Sequence, residues 1–216
     1  MRTILAKVLT DSSGLVVTAQ PGSARRFAAS WVGLPFNIGG TVVSVESVQS
    51  PLQLTLTSAI AASQTNPLVM QATREGVYLA FYNRLVSSIS GIATTTRSPQ
   101  HWDRLLPEQT PSLFVEQVGE NQLESDVGQA YKWIFKLGIG VFVRVGDPEA
   151  TPPVTIINPI NDQIEAALDP NQPTGFGLTL DGLVQEARLY GGDSRVAAGA
   201  LHNIAWNYVP AILKVQ

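Results

Sequence analysis

The spacing of apolar residues changes character near residue 72 of this chain. Before that point they fall in short alternating runs at residues 3–9, 14–19, 41–48, 52–57 and 68–71. Turn-forming residues separate these runs: Asp11-Ser12-Ser13-Gly14, Pro21-Gly22-Ser23, Gly39-Gly40 and Ser50-Pro51. Short strands at this spacing, punctuated by Gly and Pro, predict a small β-barrel or sandwich over residues 1–71, with a mostly polar bridge over 61–67. After Thr73 the period becomes helical. Val77, Tyr78, Phe81, Leu85 and Ile89 share one face, Thr73 can cap the start and Gly91 can stop the end, so a helix is expected over 74–90.

Residues 92–111 read as a loop and 112–117 as a short strand. A long period-2 pattern follows: Tyr131, Trp133, Phe135, Leu137, Ile139, Val141, Val143 and Val145 share one parity, while Lys132, Lys136 and Arg144 take the other. Trp133, Phe135, Leu137, Ile139 and Val141 are expected to face the 74–90 helix. Gly138 and Gly140 are expected to mark a bulge or bend, because the run is longer than an ordinary strand. A second helix is expected with Ile157, Ile160, Ile164, Ala167 and Leu168 on one side, Asn158-Pro159 at its start and Asp169-Pro170 at its end. A strand within 179–189, a turn at Tyr190-Gly191-Gly192-Asp193 and a long apolar strand over 198–215, broken or placed at an edge by Pro210, complete the chain. The expected fold is α+β. An antiparallel-rich sheet covered by two main helices occupies residues 72–216, with a small all-β module at 1–71.

Composition narrows the function. Of 216 residues 44% are hydrophobic, enough for a real core, yet only 14% are charged, against roughly 25% in soluble domains generally. A surface this poor in charge is one that partners often cover. The formal net charge is −3 and the isoelectric point about 5.4, which argues against general or sequence-specific nucleic-acid binding. Arg25-Arg26 is the one basic pair. There are no cysteines, hence no disulfide, thiolate metal site or Cys nucleophile. The first seven residues lack a signal-peptide pattern and no apolar run reaches membrane-spanning length, so an aqueous, cytoplasmic setting without membrane partners is expected.

Candidate chemistry is sparse. His101-Trp102-Asp103, with Ser98 and Thr94-Thr95-Thr96 nearby, could form a hydrolase site, but no G-x-S-x-G elbow presents a serine. His202 stands alone in the last strand, and two isolated histidines do not make a zinc site. Glu116, Glu120, Glu124 and Asp126 could supply a glycosidase pair, or simply solvate a hairpin tip. No calcium loop, Walker motif or dinucleotide fingerprint occurs. The expectation is therefore no catalytic residue, no cofactor and no metal. Trp133 and Trp206 read as core residues, and Trp102 as a packing anchor at an interface or on its own domain. A carbohydrate-binding β module with a helical partner is a further reading.

The second part also carries an order of pieces. Arg74-Glu-Gly-Val-Tyr78 is followed by Arg104-Leu-Leu-Pro107, Pro111-Ser-Leu-Phe-Val-Glu116 and the long alternating run; then come Ile157-Asn-Pro-Ile-Asn-Asp-Gln-Ile-Glu-Ala-Ala-Leu168, Thr179-Leu-Asp-Gly-Leu-Val184 and Pro210-Ala-Ile212. This order resembles the tail terminator proteins of long-tailed bacteriophages. There a helix precedes a P-x-L-F-V strand, a long strand, an N-x-I-x-x-x-I-x-x-x-L helix and an L-x-G-L-V strand. The stretch Gly40-Thr-Val-Val-Ser-Val-Glu-Ser-Val-Gln-Ser-Pro51-Leu-Gln-Leu-Thr-Leu56 separately resembles small β modules appended to phage structural proteins. The resemblance implies a virion protein assembled in the host cytoplasm. It would form a homo-oligomeric ring, typically a hexamer, that caps the tail tube protein on one side and meets a neck or stopper protein on the other, with DNA passing through its lumen. Stopper, head-completion and tail tube subunits are the neighbouring roles, and a His101/Asp103 hydrolase is the alternative from another class.

Overall fold

The computed structural model describes residues 3–22, 26–99, 104–123, 132–168, 179–189 and 203–215. The chain forms two compact units. One takes in Met1–Phe81 with Thr179–Val184 and Gln216, the other Tyr82–Leu178 with Gln185–Val215. The division expected at residue 72 thus falls some residues later, inside a helix, and the first unit also recruits a short segment from far along the chain.

The first unit is built on six strands: β1 (Thr3–Thr10), β2 (Val16–Ala19), β3 (Pro35–Ile38), β4 (Thr41–Ser50), β5 (Gln53–Leu56) and β6 (Leu68–Ala72). They close into an antiparallel barrel in the order β1-β2-β5-β4-β3-β6, with β6 returning to β1. Between the barrel and sandwich expected from the strand spacing, the structure selects the barrel. Strand β3 has no counterpart among the expected elements, because Pro35 and Asn37 hide a four-residue strand of half-buried and buried alternation. Phe36, Ile38, Val17, Leu54, Leu56 and Met70 are sealed from solvent. Trp31 stacks on Phe36 with ring centroids 5.2 Å apart.

The segment after β5 is pinned to the barrel through Thr10. The Thr10 Oγ1 accepts from the Ser63 amide at 2.6 Å and donates to the Ala61 carbonyl at 3.2 Å. Gly14 has to be glycine: its φ is +72°, and a Cβ there would sit 2.0 Å from the Ile60 carbonyl oxygen.

Helix α1 (Arg74–Ser88) starts from β6. The Thr73 hydroxyl accepts from the Gly76 amide at 2.9 Å, as an N-cap should. It also donates to the Pro35 carbonyl at 2.8 Å, which ties the helix start to β3. That tie is why the first turns of α1 belong with the barrel.

The second unit holds β7 (Thr94–Thr96), β8 (Ser112–Leu123), β9 (Lys132–Arg144), α2 (Pro153–Ala167), β10 (Glu186–Leu189) and β11 (Ile204–Val215). Its five strands form one sheet in the order β10-β11-β9-β8-β7, antiparallel except for the β7-β8 pair. The architecture is α+β with an all-β barrel at the N-terminus, as the periodicity predicts.

Several local expectations change. Phe135, Leu137, Ile139, Val141 and Val143 do share a buried face, but the helix packed most closely on β9 and β11 is α2 rather than α1. Trp133, at the end of β9, is only half-buried. Gly138 and Gly140 do not mark a bulge. Strand β9 is regular, and the register slip lies on its partner, between Gln117 and Gly119 of β8. The glycines instead make room for rings: a Cβ at Gly138 would meet the Tyr208 hydroxyl at 1.9 Å, and one at Gly140 would meet the Phe114 ring at 1.9 Å. Pro159 lies inside α2, not at its start. It lies on the exposed side of the helix, where a carbonyl left without its backbone partner can be solvated. Pro210 lies in β11 opposite Gly138, one position past the last described pairing with β10, between Leu189 and Ala211.

The strand expected within 179–189 is present as β10, but residues 179–184, a strand in the order of pieces the resemblance implies, form a tight turn in the first unit. Leu180, Asp181 and Gly182 have φ of 48°, 55° and 89°. Two left-handed non-glycine residues cost roughly 1 kcal/mol or more each. The buried side chains of Leu180, Leu183 and Val184 and a hydrogen bond from the Ser30 hydroxyl to the Asp181 carboxylate hold them there. The strand, β10, begins only at Glu186. The region read as loop before β8 contains the short strand β7.

Candidate functional site

The two faces of the sheet in the second unit differ. On one, Leu137, Ile139, Val141 and Val143 of β9 and Ala205, Asn207, Ala211 and Leu213 of β11 are buried, and α2 packs against both strands. Asn207 Nδ2 donates to Asn161 Oδ1 of α2 at 2.8 Å. Asn207 is 2% exposed and its own Oδ1 has no partner. A buried polar pair of this kind costs desolvation, and it fixes which turn of α2 sits over β11.

The opposite face carries the other parity: Ile134, Lys136, Gly138, Gly140 and Phe142 of β9, with Trp206, Tyr208, Pro210, Ile212 and Lys214 of β11 opposite them. One end of it is covered. Leu105, Phe142 and Ile204 form a small buried cluster. The loop that brings Leu105 there is held by Arg144, whose Nη1 donates to the Leu105 carbonyl at 2.7 Å, and by Thr110 Oγ1, which donates to the Arg144 carbonyl at 2.9 Å. Beyond that end the face is more open, with Ile134, Tyr208 and Pro210 half-buried and Lys136 exposed. Trp206 is 40% exposed and Val118 59% exposed. Trp206 was expected in the core; its even position in β11 turns it to the open side instead. A groove of about 340 Å³ runs along this face, lined by Val118, Ile134, Lys136, Tyr208, Pro210 and Ile212.

The Tyr208 ring lies over Gly138, and its hydroxyl donates to Glu116 Oε1 at 2.9 Å. Burial, aided by the Glu116 carboxylate beside it, pushes the phenol up to about 12. Glu116 is thus engaged as an acceptor. The register slip at Val118 inverts the parity of β8. Glu116 stands opposite Gly138 on the open face, and Glu120 stands opposite Phe135 on the helix-covered face. A period-2 reading puts these two acids on one side, and the bulge separates them. No local signal in the sequence marks that slip except Gly119. The geometry therefore does not assemble Glu116 and Glu120 as a carboxylate pair, while Glu124 and Asp126 lie outside the described residues.

His101, Trp102 and Asp103 also lie outside the described residues, as do His202 and Arg25. Ser98, the nearest serine to His101, is exposed, with its amide donating to Thr96 Oγ1 at 3.3 Å. Among the described residues, no group of three or more His, Asp or Glu side chains is placed to hold a metal ion, and no helix is long and apolar enough to cross a membrane.

A second groove, about 450 Å³, lies on the barrel where Pro35, Asn37, Val42 and Gln71 meet Thr73 and Arg74. Two of its polar groups are engaged in local structure: Asn37 Oδ1 accepts from the Gly40 amide at 3.0 Å, and Thr73 caps α1.

The fold thus defines an α+β protein with an N-terminal antiparallel barrel and a separate five-stranded sheet. No protein-family model matches the chain, and no curated protein matches it.

Proposed function

We propose that this chain is a virion structural protein, the subunit of a homo-oligomeric ring that terminates the tail tube of a long-tailed bacteriophage and joins it to the neck. In this reading it is not an enzyme, takes no cofactor, and works through its surfaces. The observation that carries the proposal is the open face of the sheet. Val118, Ile134 and Pro210 line a groove on it, and Trp206 is exposed further along β11, in a chain with only 14% charged residues. Exposed apolar side chains of this size beside a groove suit contacts between proteins, and interface cores are depleted in charge. A ring of identical subunits meets that requirement with heterologous contacts that close on themselves.

The element order supports the same reading. Helix α1, strand β8 with Leu113-Phe114-Val115 at its start, the long β9, helix α2 and the closing strands follow one another as in the terminator-like chain order. The L-x-G-L-V segment departs from it, since Leu180-Asp181-Gly182-Leu183-Val184 is a turn and not a strand.

Light scattering on the purified chain at micromolar concentration tests assembly, and electron microscopy of an assembled particle tests place. The expected results are a closed ring of fixed subunit number and its position between tail tube and neck. A strictly monomeric chain in both would sink the proposal.

A further inference from the structure

The two ends of the sheet are unlike each other, and this suggests how one copy meets the next. Strand β8 is 12 residues long and paired with β9 along its whole length. On its other side, β7 pairs only with Ser112, Leu113 and Phe114. From Glu116 onward, no strand among the described residues pairs with the outer edge of β8. Gln117, Val118 and Asn121 there are exposed. At the opposite end of the sheet, β10 pairs with β11 and with no other described strand.

A strand edge without a neighbour is a template for another strand. The charges differ as well. The β8 stretch carries Glu116 and Glu120 and no base. At β10, Arg188 and Lys214 flank a single acid, Glu186, with Lys214 Nζ 2.6 Å and Arg188 Nε 3.2 Å from its carboxylate. Counting the neighbouring strand at each end, Lys136 of β9 stands opposite Gly119, so two acids and one base at the β8 end meet two bases and one acid at the β10 end.

We infer that the outer edge of β8 in one copy of this chain pairs with β10 of the next, so that the sheet continues from subunit to subunit. This rests on the ring reading and names the surface that makes the ring. Pairing of unlike edges is head-to-tail, and it closes when the rotation between copies divides the circle. Pairing of β8 with another β8 would stop at a dimer and would bring Glu116 and Glu120 against their own copies. The exposed Val118 at the bulge would then be covered by the neighbour.

The absence of cysteine in the chain permits a clean test. Val118→Cys and Arg188→Cys are made singly and together in the full-length protein. Each is treated with a short bis-maleimide under conditions where light scattering reports the oligomer. Both positions are exposed on their strands, and far-ultraviolet circular dichroism checks that the variants fold. As a second pair, Gln117→Cys replaces Val118→Cys.

The expected result is a ladder of multiples of 23.2 kDa from the double variant, ending at the subunit number of the ring, with neither single variant cross-linking. Dimers from Val118→Cys or Gln117→Cys alone, with no ladder from either pair, would overturn the inference in favour of symmetric β8 pairing. An oligomer by light scattering with no cross-link from either pair would overturn it while leaving the ring reading intact. A monomer by light scattering, with no ladder, overturns the inference, and the ring reading falls with it when the chain is monomeric in the assembled particle as well.

Discussion

The barrel and the sheet solve the same problem to different degrees. Every strand of the barrel has a neighbour on both sides, because β6 returns to β1 and the order closes. Its apolar residues point into one sealed interior, where Phe36, Leu54, Leu56 and Met70 are fully buried. Closure removes the edges that invite other chains. The sheet of the second unit stays open. Its terminal strands β10 and β7 are short, β8 runs past the end of β7, and α2 packs on one face. The barrel is completed by its own residues, whereas among the described residues the sheet keeps a long unpaired stretch of edge. Stability should therefore concentrate in buried side chains of the barrel and of the α2-covered face, and association in the open side of the sheet.

The sharpest way to break this comparison is to cut each region at its centre. Phe36 is fully buried and stacked on Trp31. Phe36→Ala should cost about 3–5 kcal/mol, seen as a lower urea midpoint. Trp206→Ala removes a larger side chain from the open face, yet should cost only about 1 kcal/mol while weakening association in light scattering. Equal losses of stability would mean that the open face is a second core and not a surface.

A smaller effect probes the glycines of β9. Gly138→Ala places a methyl where the Tyr208 ring lies. The ring must swing away and its bond to the charged Glu116 carboxylate is lost, a contact of a type worth about 1.5–3 kcal/mol. The backbone gain from replacing glycine in a strand returns roughly 0.5–1 kcal/mol. The net cost should be about 1–2 kcal/mol by denaturant unfolding. A neutral Gly138→Ala would show that the ring does not rest on that glycine.

Gly76→Ala tests the tie between β3 and α1 at a smaller scale. Its Cβ would come 2.6 Å from the Pro35 carbonyl oxygen, a backbone atom that cannot swing aside. Overpacking costs about 1–3 kcal/mol, and alanine in a helix returns about 1 kcal/mol. The expected sign is destabilising, by about 1 kcal/mol. A stabilised variant in thermal unfolding would mean that the helix start is free of β3.

The sequence made the architecture legible where periodicity was strong and interrupted by clear turns. Five of the six barrel strands, both helices, the β9 parity and the α+β class can be read from apolar spacing alone. What escaped it has physical causes. Strand β3 is four residues long and opens with proline, so no alternation builds up. The Leu180–Val184 stretch has the apolar content of a strand, but its conformation is set by burial of Leu180 and Leu183 among residues far away in sequence. Trp206 and Glu120 were given faces by simple alternation, and the faces depend on register: which β11 parity α2 covers, and where β8 slips. Glycine in β9 read as a bend because sequence shows only what a residue lacks. The Phe114 and Tyr208 rings that fill the space come from other strands. The open face itself was foreshadowed only by the low proportion of charge.

The smallest expected effect is a titration. The chain has five tyrosines, and Tyr208 should ionise near 12 rather than near the ordinary 10.0, first because its ring is partly buried against β9 and then because the Glu116 carboxylate accepts its hydrogen bond and repels the phenolate. A folded value above the unfolded one means that the native state holds this proton more tightly. The contribution to stability is therefore complete below pH 10.0 and is lost as pH rises through about 12. Tyrosinate absorbance followed against pH should show a late step that vanishes in Tyr208→Phe. In Glu116→Gln the step should move down without reaching the ordinary value, since the burial remains when the charge is gone. A late step that survives Tyr208→Phe would belong to another tyrosine. One that falls fully to the ordinary value in Glu116→Gln would mean that the carboxylate, and not the seat on Gly138, sets the phenol, and that the open face at this point is wetter than the packing of Tyr208 implies.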